Sequence, residues 1–90
     1  METIHKYILN DDINYLNLPK EYLPLSIITQ RNKVVLYCIV NPDNEPVKAR
    51  FDVIGTGWET GDGFFDDKMF VGTTTTLEGT YVWHVFEVFE

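Results

Sequence analysis

"VVLYCIV", residues 34–40, decides the fold. Successive side chains of an extended chain point to opposite sides, so Val34, Leu36, Cys38 and Val40 share one face and Val35, Tyr37 and Ile39 the other. A short run that is apolar on both faces predicts a central strand covered on both sides. Working outward, "LSIITQ" (25–30) precedes it across "RNK", a tight hairpin signal. On the other side "NPDNEP" (41–46) reads as a turn leading into "VKARFDVI" (47–54). There Val47, Ala49, Phe51 and Val53 alternate with Lys48, Arg50 and Asp52, the pattern of a half-buried strand. "KMFVGTTTT" (68–76) and "GTYVWHVFEVF" (79–89) meet through "LEG" in another hairpin. Upstream, "IHKYIL" (4–9) and "INYLNL" (13–18) flank "NDD", which predicts a first hairpin. "LPKEYLP" (18–24) is bounded by prolines, which disfavour helical angles in the preceding residue, and reads as a loop with room for one helical turn. The expectation is an all-β single domain over 1–90, an antiparallel sandwich or small barrel-like roll of about seven strands.

Ninety residues are near the lower end of what buries a sufficient core, which makes a homo-oligomer a natural expectation. The 44% apolar fraction argues for a packed globule. A formal charge of −7 with seven scattered Lys and Arg disfavours duplex nucleic acid, because neutralising phosphates requires cations. No run approaches the ~18 apolar residues of a membrane helix, and the N-terminal stretch lacks a signal-peptide core, so a cytoplasmic protein is expected. The single cysteine, Cys38, sits in the apolar run and reads as a buried thiol rather than a nucleophile.

"GTGWETGDGFFDD" (55–67) carries the chemistry that the strands do not. It lacks the third glycine spacing of a dinucleotide fold and the lysine of a phosphate-binding P-loop. Asp62, Asp66 and Asp67 do not alternate as calcium ligands would, so no metal is expected. Gly55 and Gly57, without side chains where a strand ends, leave room for another group to approach the backbone. Trp58 beside them is either a stacking platform or a lid on the core. On the last strand Trp83 and His84 fall on opposite faces, and neither His84 nor Ser26 has the partners of a catalytic set, so no enzyme and no cofactor are expected.

The chain resembles a family of about ninety-residue domains common in bacteriophages and prophages. The resemblance is carried by "KY-x-L" at Lys6 to Leu9, "LP" at Leu18–Pro19, "L-S-x-x-x-Q" from Leu25 to Gln30 and "V-x-P-D" at Val40 to Asp43. It continues through "GTG" at Gly55 to Gly57, "F-V-G-T" at Phe70 to Thr73 and "VWHVFE" at Val82 to Glu87. The family usually has histidine after GTG, where this chain has Trp58. By context the resemblance implies a non-enzymatic accessory protein, acting in the host cytoplasm, that sequesters a cyclic-oligonucleotide immune signal. On that expectation Trp58 and Trp83 stack on bases, Arg50 and the Gly55–Thr56–Gly57 backbone hold phosphate, and Thr73 and His84 supply polar contacts. The alternative is an inhibitor of a host enzyme that binds through an acidic or edge-strand surface.

Overall fold

The structure, a computed structural model, describes residues 1–89. The described chain forms seven strands and no helix: β1 (Thr3–Leu9), β2 (Asp12–Pro19), β3 (Leu23–Gln30), β4 (Lys33–Val40), β5 (Pro46–Gly55), β6 (Lys68–Thr76) and β7 (Tyr81–Val88). They make two antiparallel sheets, β1-β4-β3 and β2-β5-β7-β6, packed face to face. The core between them holds Leu9, Leu36, Cys38 and Val40 from the first sheet against Leu18, Phe51, Val53 and Val85 from the second. Burying each such side chain contributes about 1.5–3 kcal/mol, and this layer is the main source of stability. No helix among the described residues is long and apolar enough to cross a membrane.

The two sheets almost join along one side. A Cβ on Gly72 would lie 3.1 Å from the Ile27 Cβ and 3.5 Å from its backbone N, so β3 approaches β6 closely. The Thr29 hydroxyl reaches Thr74 Oγ1 at 2.7 Å and donates to the Thr75 carbonyl. No ladder links the sheets there, and the architecture is a sandwich, not a closed barrel.

Three expectations are corrected. β1 and β2 do not form a hairpin: β1 pairs with β4 and β2 with β5, so the chain changes sheets at Asn10–Asp11. Asp12 takes φ 71° there. The buried Asn14 side chain accepts from the Asn10 N–H at 2.9 Å and donates to the carbonyls of Asn10 and Phe51. One amide thus satisfies backbone groups that a hairpin turn would have paired with each other. β4 is central, as its sequence demands, but only its inner face is fully covered. On its outer face Val35 is buried while Tyr37 and Ile39 are partly exposed, because no described segment lies over the first sheet. The connection at Lys20–Tyr22 is a turn with Glu21 at φ 67°, without a helical turn. The remaining hairpins fall where "RNK" and "LEG" place them, with positive φ at Arg31, Asn32, Leu77, Glu78 and Gly79.

Burial pushes the Cys38 thiol up to about 12 from an ordinary 9.0, with the negative charge of Glu87 adding to it. The folded chain therefore keeps this proton where an unfolded thiol loses it, and binds more protons between about pH 9 and 12. Stability should fall as pH rises through that window. Chemical denaturation from pH 8 to 11 is expected to show this decline in the wild type and a shallower one in Cys38→Ala. Alkylation of Cys38 at pH 8 should proceed no faster than global unfolding.

Candidate functional site at the open end of the sandwich

Arg50, Val88 and Lys68 share one row across β5, β7 and β6. Because β7 is antiparallel to both neighbours, β5 and β6 are parallel, and residues 56–67 must carry the chain back along the second sheet. The return covers five residues of strand, ~17 Å, and steps sideways by two strands, ~10 Å. Twelve residues exceed that need, and the slack is taken up in turns that bond Phe64 N–H to the Gly61 carbonyl, Asp66 to Gly63 and Lys68 to Phe65. Gly63, at φ 76°, permits this path.

The crossing lies on the outer face of the second sheet. Phe65 packs on Phe86 with ring centroids 5.0 Å apart, and the Lys68 ammonium sits 4.2 Å above the Phe64 ring. Beneath them Asp52 is 1% exposed although its strand presents it on the polar face. Arg50 grips it with both arms of the guanidinium, at 2.9 and 3.0 Å, and the Lys68 ammonium lies 3.6 Å away. Lys68 also donates to Asp67 at 2.9 Å, which holds that carboxyl below its ordinary range. The expectation that Arg50 is available to a phosphate gives way here: its guanidinium is engaged with a buried carboxylate.

Gly55 pairs with Trp83 on the inner face at the opposite end of the same strand. The room it leaves is filled from within the chain. An added Cβ would stand 2.6 Å from Trp58 Nε1 and 2.8 Å from its Cε2, so the indole lies directly on the glycine. The neighbouring amides are engaged as well: Thr56 N–H donates to Val82 O at 3.0 Å and Trp58 N–H to Gly55 O at 3.1 Å. Trp58 nevertheless remains 44% exposed and meets Trp83 edge-on at 5.6 Å. Tyr81 continues the surface, 5.9 Å from Trp83 and tilted by 30°. Trp83 itself is anchored by its N–H, which donates to Thr76 Oγ1 at 2.9 Å.

His84 lies on the outer face, between two hydroxyls. Thr56 Oγ1 is 2.6 Å from Nε2 and Thr73 Oγ1 2.9 Å from Nδ1. A hydroxyl can donate or accept, so this setting satisfies either neutral tautomer and the protonated ring. Among the described residues no carboxylate is bonded to the imidazole, and no set of three His, Cys, Asp or Glu side chains is arranged to hold a metal ion.

The eight residues singled out from sequence thus fall into three places. Trp58, Trp83, Gly55 and the Gly57 turn lie at the sandwich end; Thr56, Thr73 and His84 form a polar cluster on the outer face near that end; Arg50 sits at the other end of β5, four residues below Ile54. Face parity on the last strand groups Tyr81 with Trp83, but the sequence reading did not count Tyr81 among the site residues. It also missed Asp52, whose burial depends on a loop that local alternation cannot reveal.

A hollow of about 290 Å³ opens between Gly55, Thr56, Trp58, Thr80, Tyr81 and Trp83. A second, of about 270 Å³, is lined by Leu9, Asn10, Asn32, Lys33, Thr76 and Trp83. Trp83 is the wall common to both. Each is near the lower bound, ~300 Å³, of pockets that enclose small molecules, so either one fits a single ring system.

The sequence matches the family described as a domain of unknown function, DUF7352, over residues 1–90, and the chain belongs to that family. No curated protein and no solved structure matches it.

Gly55→Ala should displace the Trp58 indole, because the half-exposed ring is the movable partner in the clash. We expect a loss of about 1–3 kcal/mol and a red shift of tryptophan emission. The same substitution in a Trp58→Ala background should cost less than half as much.

Proposed function

We propose that this chain is a non-enzymatic binding module that takes the base of a nucleotide-like small molecule at its aromatic end. The observation that carries the reading is the convergence of Trp58, Tyr81 and Trp83 around a side-chain-free Gly55. Large flat rings that are held at one edge and open at the other suit stacking, and each base–aromatic stack is worth about 1–3 kcal/mol. Two hollows that share Trp83 as a wall would accommodate the two bases of a cyclic dinucleotide. On this reading the Thr80 hydroxyl, in the lining of the first hollow, meets the edge of the base. The biological role that fits such a module, given the phage-type resemblance, is withholding a cyclic-oligonucleotide immune signal in the host cytoplasm.

The inhibitor reading retains one observation of its own. On the lower half of edge strand β6, Met69 and Phe70 are exposed beside Leu23 and Leu25, a groove into which a partner's strand could add.

Calorimetric titration with cyclic di- and trinucleotides tests the first reading. Binding at micromolar or tighter Kd is expected, with Trp83→Ala and Trp58→Ala each weakening it by about tenfold to a hundredfold. Intact ligand should be recovered when the complex is denatured by heat. Absence of any heat or melting shift, together with a stoichiometric protein captured from lysate and lost in Phe70→Glu, would instead support the inhibitor.

A further inference from the structure

The two sheets differ in what covers them. The outer face of the second sheet lies under the return crossing, while the outer face of β1-β4-β3 is bare and strongly apolar. Its side chains form rows across the three strands: Ile4, Ile39 and Leu23 in one, Ile8, Val35 and Ile28 in another, with Lys6, Tyr37 and Ser26 between them. Ile4, Leu23, Ile8 and Ile28 are between 45% and 59% exposed. Four large aliphatic side chains on one flat face, in a chain of net charge −7, are out of keeping with a surface meant for water.

Side chains of opposite sign stand at the two ends of this face, with Lys20 and the N-terminal ammonium also near the acidic end and Asp11 near the basic one. Beyond the Ile8 row stand Lys33, in the next row, and Arg31, in the hairpin turn; the Lys6 ammonium leans the same way, donating to Gln30 at 3.0 Å across β4. Three of the chain's seven basic residues gather at this end. Beyond the Ile4 row stand Glu2, two residues before Ile4 on β1, and Glu21, in the turn before Leu23; both are exposed. Lys33 lies four residues from Tyr37 on its strand, and Glu2 four residues from Lys6 on its own, so the basic and acidic rows are equidistant from the middle row.

We propose that this face binds a second copy of the chain, face to face, about a two-fold axis that runs across the strands through the Lys6–Tyr37–Ser26 row. The operation sets the Ile4–Ile39–Leu23 row of one copy on the Ile8–Val35–Ile28 row of the other. It also brings Glu2 toward the partner copy's Lys33 and Glu21 toward its Arg31, at both ends at once. The surface is therefore self-complementary in shape class and in charge, the requirement of an isologous interface. A parallel stacking without the reversal would place like charges together. The dimer leaves Trp58, Tyr81 and Trp83 outside the interface in both copies, at opposite poles, with Lys33 at the rim of the second hollow the one residue bordering both, so this inference stands apart from the aromatic reading.

Sedimentation equilibrium between 1 and 200 µM, without added nucleotide, tests it. A reversible dimer of twice the 10.5 kDa chain mass is expected. Ile8→Glu, at a 59% exposed position, should raise the dimer Kd at least tenfold with the circular dichroism spectrum and melting temperature of the monomer kept. Lys33→Glu should weaken the dimer, and adding Glu2→Lys to it should restore association at least in part. A chain that stays monomeric throughout the range, or a dimer indifferent to both Ile8→Glu and Lys33→Glu, overturns the proposal.

Discussion

The parallel course of β5 and β6, with β7 between them, is the constraint on which the rest of the structure depends. It obliges residues 56–67 to travel back along a sheet whose other face is already committed to the core. The crossing can only lie on the outer face of the second sheet, and three features follow. Trp58, at its start, is laid over Gly55 at the sandwich end. Phe65, in its second half, packs on Phe86, and Phe64 beside it lies under the Lys68 ammonium. Lys68, at its finish, supplies the second cation for that buried carboxylate. A lone buried Asp would be costly; gripped by Arg50 and approached by Lys68 it becomes a tie between strand and crossing.

This geometry gives the glycine-rich segment a structural role that its composition did not separate from a binding role. A stretch holding Gly55, Gly57, Gly61 and Gly63 reads equally as a phosphate cradle or as slack. What distinguishes them is where the amides point, and Thr56 and Trp58 spend theirs on Val82 and Gly55 of the same chain. The surface proposed for binding consequently shifts from the backbone of the segment to the indole it carries.

The strands were legible because period-two alternation is a local property: β3 to β7 lie within a few residues of the runs that announce them. Pairing was legible only where the turn itself encodes it, as at Arg31–Asn32 and Leu77–Gly79. The tract "NDD" misled because Asn14, two residues beyond it, folds back on Asn10 to satisfy it and sends the chain to the other sheet. That bond reaches Phe51, 37 residues away, and no local pattern contains it. Arg50 misled for a similar reason. Its place on the polar face was read correctly, but Asp52 two residues on becomes a partner only once the crossing shuts out water. At the aromatic end, by contrast, face parity on β7 already grouped Tyr81 with Trp83, while their meeting with Trp58 required the tertiary fold.

Native-state hydrogen exchange on the wild type and Asp52→Ala bears most directly on the idea that the Asp52 tie fastens the return crossing. The account predicts that the amides of Phe64, Asp66, Lys68 and Phe89 lose protection together in the variant, while those of β1, β3 and β4 keep their ranking. Undiminished protection across residues 64–68, or a uniform loss throughout both sheets, would contradict it.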